Sequence, residues 1–120
     1  MDSHLSIVCQ RLGRIGMTIQ RAKAIVRKYI AVVKKHHIPV KSVYIFGSQV
    51  KQTAHPWSDI DTCVVSEAFG KDRHTERVAL MHLTDRETQD IEPHPFHPKD
   101  LADKYDPLAA EIRRYGIQVV

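Results

Sequence analysis

The sequence predicts an α+β domain, mixed α/β in element order, with a small mixed sheet of three or four strands flanked by helices. Three observations predict it. Residues 18–36 repeat apolar side chains at helical spacing. Two short apolar runs, at residues 43–46 and 58–66, have the length and composition of strands instead. Helical and extended segments alternate along the chain in the order α-β-α-β-α-β-α.

Residues 1–16 carry only a weak pattern, broken by Gly13 and Gly16, and read as a short helix or a loose arm. Thr18 is suited to cap the helix that follows, because its hydroxyl can accept an otherwise unpaired N–H. Ile19, Ala22, Val26, Tyr29, Ile30 and Val33 then form one apolar face, and Arg21, Lys23, Arg27, Lys28, Lys34 and Lys35 the opposite one. Pro39 ends this helix. The run VYIF at residues 43–46 reads as a strand buried on both faces, stopped by Gly47. Residues 48–52 suit a short helix, and residues 53–57, with Pro56, a loop.

The second strand, residues 58–66, places Asp59 and Asp61 on one face and Ile60, Thr62 and Val64 on the other. Residues 71–87 read as helical, with Val78, Leu80, Met81 and Leu83 as apolar material. Residues 89–96 form a third extended segment. In it Asp90, Glu92 and His94 alternate with Ile91, and Pro93 and Pro95 mark where regular pairing is expected to fail. Asp106 caps a last helix with Pro107 at its first position and Gly116 as its stop. Residues 117–120 suit a small terminal strand.

At 120 residues the chain fits one domain, 1–120, with enough length for a core. A hydrophobic content of 42% and a charged content of 27% are ordinary for a soluble globular protein. The net charge of +4 serves solubility or attraction to phosphates. There is no apolar run of about 18 residues and no basic stretch leading into an apolar one, so neither a membrane span nor a secretory signal is expected. Cys9 and Cys63 form no CxxC pair. A reduced, cytoplasmic setting is expected, with Cys63 as core.

The chemistry concentrates in FGSQVKQTAHPWSDID, residues 46–61. A helix opening at Gly47-Ser48 would offer unpaired N–H groups to an anion, and glycine lets a phosphate approach the backbone. Asp59 and Asp61, two residues apart on a strand, point the same way at roughly 6–7 Å and can hold a hard cation. Each feature alone is common turn or capping chemistry. Together they set a phosphate cradle beside a metal site, which a nucleoside triphosphate with Mg²⁺ would fill.

This conjunction, Gly47-Ser48, ten residues, then Asp59-Ile60-Asp61, resembles the signature of the DNA polymerase β-like nucleotidyltransferase superfamily. The compact chain is similar to its minimal nucleotidyltransferase (MNT) branch. The segment DIEPHPFHPKDL at residues 90–101 is similar to one that supplies the third acid there, which maps to Glu92. Asp90, two residues earlier, points the same way and is the rival. The family pattern favours Glu92. Val50-Lys51-Gln52 departs from the family's usual Ala-Arg-Gly, with Lys51 keeping the charge.

The resemblance implies a nucleotidyltransferase fold and transfer of AMP from ATP to an acceptor hydroxyl. Asp59, Asp61 and Glu92 would hold two Mg²⁺ ions. Gly47 and Ser48 would hold the β- and γ-phosphates, and Lys51 would balance triphosphate charge. Little chain remains to enclose an acceptor, so a homo- or hetero-oligomer is expected, with neither membrane nor nucleic acid as partner. The resemblance also implies an antitoxin that adenylylates a tyrosine of a HEPN-domain toxin. Two alternatives stand beside it: a binding module that neutralises such a partner by contact, and a small-molecule nucleotidyltransferase.

Among other residues, His94 and His97 read as polar loop residues or as ligands. His36-His37 reads as a solvated helix end. Trp57 is either a base-stacking residue or a loop plug. Tyr105 and Tyr115 have the aromatic character for a base or a partner surface, with packing against helices the expected role.

Overall fold

A computed structural model describes residues 18–47, 50 and 59–120. The expectations for the arm at 1–16, the helix at 48–52 and the loop with Trp57 fall outside the described residues, as do Ser48 and Lys51.

The described elements are α1 (Ile19–Lys35), β1 (Ser42–Phe46), β2 (Ile60–Val65), α2 (Arg73–Met81), β3 (Ile91–Phe96), α3 (Pro98–Leu101), α4 (Pro107–Tyr115) and β4 (Ile117–Gln118). The four strands form one mixed sheet in the order β3-β2-β1-β4. β1 runs antiparallel to β2 and to β4, and β2 runs parallel to β3. The predicted class, with a four-stranded sheet and flanking helices, is the observed one.

α1 forms as its pattern requires. The Thr18 hydroxyl accepts the Arg21 N–H, and Ala22, Val26, Tyr29, Ile30 and Val33 are buried on one stripe. That stripe covers the sheet face made by Val43, Ile45, Ile60, Val64 and Ile91, with Leu80 of α2 and Phe69 completing the cluster. The Tyr29 hydroxyl, buried here, donates to the Leu80 carbonyl at 2.6 Å, so the ring adds apolar area without stranding a polar atom. Thr62 is also buried, and its hydroxyl returns to the Ile60 carbonyl.

The other face carries a smaller apolar cluster of Phe46, Cys63, Val65, Phe96, Ala109 and Ile112, beneath α4. Burial pushes the Cys63 thiol up to about 12, with Arg73 pulling the other way, so this cysteine is core as predicted.

Three details depart from the sequence reading. α2 stops at Met81 rather than near residue 87. The Thr84 hydroxyl donates to the Met81 carbonyl, and Asp85 and Thr88 bond to each other's backbone, giving the chain a turn in place of further helix.

Pairing does not fail at Pro93 and Pro95. In β3 the Asp90 and Phe96 carbonyls accept from Ile60 and Ser66, so the even-numbered residues direct their backbone groups at β2. The prolines, at odd positions, direct theirs off the open edge, where no N–H is required.

Tyr105 does not pack against a helix, and Tyr115 is half-exposed at the end of α4. Tyr105 is 83% exposed, and Lys104 and Arg114 lie over the two rings.

Among the described residues, no helix is long and apolar enough to cross a membrane.

Candidate active site

The site lies at one end of the sheet, where β1 leaves and β2 and β3 enter. Antiparallel pairing sets Phe46 opposite Asp61, and parallel pairing sets Asp61 beside Glu92. Residues in register on neighbouring strands project from the same face. Two carboxylates from segments distant in sequence are therefore juxtaposed by strand register alone.

Gly47 closes the arrangement from the β1 side. Its φ of +78° is the left-handed region that favours glycine. A Cβ at this position would collide with Oδ2 of Asp61 and lie 3.3 Å from its Cγ. The Asp61 carboxylate thus rests on the bare backbone of Gly47. The chain turns there, with the Val50 N–H donating to the Gly47 carbonyl.

His94 completes the group. It follows Glu92 by two residues on β3 and so shares its face. Its Nε2 lies 3.5 Å from Oδ1 of Asp61 and 3.3 Å from Oε1 of Glu92. The ring packs edge-on against Phe46, with centroids 5.1 Å apart. Arg77, from α2, reaches across the edge of β3 to place its guanidinium 3.7 Å from Oε2 of Glu92. One turn earlier, Arg73 lies over the Phe96 ring. Desolvation, together with the hydrogen-bonded Asp61 carboxyl and its charge, holds the Glu92 carboxyl above the ordinary glutamate range, while His94 and Arg77 pull it down.

These residues fit a divalent cation. Ligand atoms of Asp61, Glu92 and His94 all lie within 4.8 Å of one another, and Nε2 of His94 is buried without a hydrogen-bond partner. Hard carboxylate oxygens and an imidazole nitrogen form a donor set for such an ion.

Of the predicted site residues, Asp61, Glu92 and Gly47 come together. Asp59 is exposed at the entrance to β2 and stands outside this group. Asp90 is not in it either. His94 is not a loop residue. It belongs to a strand, on the face of Glu92, and the alternation Glu92-x-His94 was the signal for it. His97 instead caps α3, its ring accepting the Lys99 N–H. Nothing in the local sequence marks Arg77, which arrives through the packing of α2 against β3.

The fold and this end of the sheet define a class: a small mixed-sheet protein with two acids, a histidine and a glycine turn gathered at one end of the sheet. The profile of the nucleotidyltransferase domain family matches residues 26–108, and the chain belongs to that family. A search of curated proteins finds no match.

Solved structures agree on the fold. A chain from a toxin-antitoxin crystal structure with AMP-PNP is 22% identical, with a TM-score of 0.54, covering 82% of this chain and 72% of that one. A putative nucleotidyltransferase from Sulfolobus solfataricus is 17% identical, with a TM-score of 0.54, covering 91% and 85%. A mutant of the toxin-antitoxin pair MntA-HpeT gives 18%, 0.52, 78% and 71%.

Proposed function

We propose that this chain is a metal-dependent adenylyltransferase of the MNT kind, which moves AMP from ATP to a tyrosine hydroxyl of a HEPN-domain toxin and thereby acts as its antitoxin in the cytoplasm. One observation carries the reading: Asp61, seated against the backbone of Gly47, lies beside Glu92, with Nε2 of His94 near an oxygen of each. Family membership supports the reaction class. The likeness in fold to chains from toxin-antitoxin pairs, one of them with AMP-PNP, supports the choice of partner and nucleotide.

In this reading Gly47 and Ser48 hold the β- and γ-phosphates, and Lys51 balances their charge. Asp59, Asp61 and Glu92 hold Mg²⁺ or a similar ion. When bound, such an ion neutralises charge on the phosphates during in-line displacement. The acceptor oxygen forms its bond to the α-phosphorus as the bond to the pyrophosphate oxygen breaks. Glu92, which this reading sets beside the acceptor hydroxyl, is suited to receive its proton. Arg77 orients the Glu92 carboxylate from the side of α2.

The position of Asp59 outside the group favours one other reading, neutralisation of the toxin by contact alone. A single experiment separates the two. The chain is incubated with α-labelled ATP, Mg²⁺ and the HEPN-domain protein. Label on the partner that disappears with Asp61→Asn, together with lost neutralisation, supports transfer. Full neutralisation by Asp61→Asn without label supports contact.

A further inference from the structure

We propose that His94 is a direct ligand of the cation through Nε2, and that this mixed nitrogen-oxygen set makes the site prefer Mn²⁺ to Mg²⁺. The inference rests on the reading above, in which Asp61 and Glu92 hold a cation.

Nε2 of His94 stands at nearly equal distances from an Asp61 oxygen and a Glu92 oxygen, 3.5 and 3.3 Å. Yet it makes a hydrogen bond to neither, and it is shut away from solvent. A buried polar atom left unpaired costs about 1–3 kcal/mol. The spacing is that of ligands around a shared ion. Two atoms each about 2.1 Å from a metal are roughly 3.0 Å apart at an octahedral right angle and roughly 3.4 Å apart at a tetrahedral one. The ring is also not free to turn away. Its backbone is fixed opposite Cys63 in the β2–β3 register, its ring packs edge-on against Phe46, and the side chain is only 17% exposed.

The donor set decides the metal. Mg²⁺ is held by oxygen and keeps several waters, imidazole suits Zn, Cu, Fe and Ni, and Mn²⁺ stands between, an oxygen-binding ion that is also a first-row transition metal. Two carboxylates with one imidazole therefore select against Mg²⁺ relative to a site built from acids alone. Mn²⁺ accepts both donor types, whereas the carboxylates alone supply what Mg²⁺ can use.

The test is metal binding to the full nucleotide-free chain, with no turnover involved. Mn²⁺ is titrated and the free ion followed by electron paramagnetic resonance; Mg²⁺ is titrated by calorimetry; and electron spin echo modulation reports nitrogen coupled to bound Mn²⁺. Circular dichroism checks the fold of each variant. The wild type should bind Mn²⁺ at least tenfold more tightly than Mg²⁺ and show ¹⁴N modulation. His94→Gln should lose the modulation and weaken Mn²⁺ by tenfold or more, while Mg²⁺ changes by less than threefold.

Bound Mn²⁺ without nitrogen modulation, or unchanged Mn²⁺ affinity in a folded His94→Gln, would overturn the assignment. The first outcome would make the ring a counter-charge to the two acids. Asp61→Asn separates the two levels. If it abolishes Mn²⁺ binding while His94→Gln does not, the histidine assignment alone fails. If Asp61→Asn binds as the wild type does, the underlying metal reading fails with it.

Discussion

The two faces of the sheet are built from the same strands and serve opposite ends. The face under α1 is continuous and dry: Val43, Ile45, Ile60, Val64 and Ile91 meet the apolar stripe of the helix, and the polar atoms there are satisfied internally. The other face is divided. Towards one end Cys63, Val65 and Phe96 pack beneath α4, in a cluster that reaches Phe46. At the other, Asp61, Glu92 and His94 crowd together, part-exposed. Alternation along β2 and β3 makes this possible, because each step along a strand changes faces. Stability and chemistry are thereby placed on opposite sides of one backbone, so a substitution on either side should affect one and spare the other.

The largest expected effect is on the reactive face. Asp61→Asn should lower nucleotidyl transfer more than about 100-fold, since even outer-shell partners of metal ligands are worth 10–100-fold. In metal-free protein the same change removes one of two crowded carboxylates, so the melting temperature should hold or rise. A clear fall in melting temperature would break the separation of faces.

The converse is Leu80→Ala on the dry face. Truncating this buried leucine should cost about 2–5 kcal/mol in denaturant titrations, with activity per folded molecule retained.

Gly47→Ala sits where the two faces meet. The left-handed backbone costs an L-residue roughly 1–2 kcal/mol. The new methyl also displaces the Asp61 carboxylate. Stability and metal affinity should therefore both fall, each less than in the dedicated variant, as thermal melts and calorimetry would report.

The smallest effect lies away from both faces. The Thr75 hydroxyl and N–H hold the exposed Asp72 carboxyl below the usual carboxylate range. A carboxyl lowered by folding stabilises fully above its unfolded value and loses that contribution as pH falls through its folded one. Asp72→Asn should therefore melt slightly below the wild type at neutral pH, and the gap should close in acid.

The sequence disclosed most where local chemistry decides structure. The Thr18 cap, the Asp106-Pro107 start of α4 and the apolar runs of β1 and β2 are each fixed within a few residues. Legibility ended where the answer depended on neighbours. Pro93 and Pro95 read as breaks because an isolated strand does not reveal which of its edges is open. Residues 82–88 kept a helical look until the Asp85–Thr88 bonds are counted. At the site, Asp61 and Gly47 were visible through a motif. Arg77 was not, because it belongs to another element and meets Glu92 only through tertiary packing. His94 was half visible: its parity with Glu92 was plain, but its environment was not.

The central claim is that Asp61 and Glu92 hold a divalent cation for a nucleotide at the Gly47 turn. Calorimetric titration of ATP into the chain, with Mn²⁺ or Mg²⁺ and then with EDTA, for wild type and Glu92→Gln, tests it most directly. The account predicts binding that requires the cation and weakens at least tenfold in the variant. ATP affinity that is indifferent to both EDTA and Glu92→Gln would contradict it.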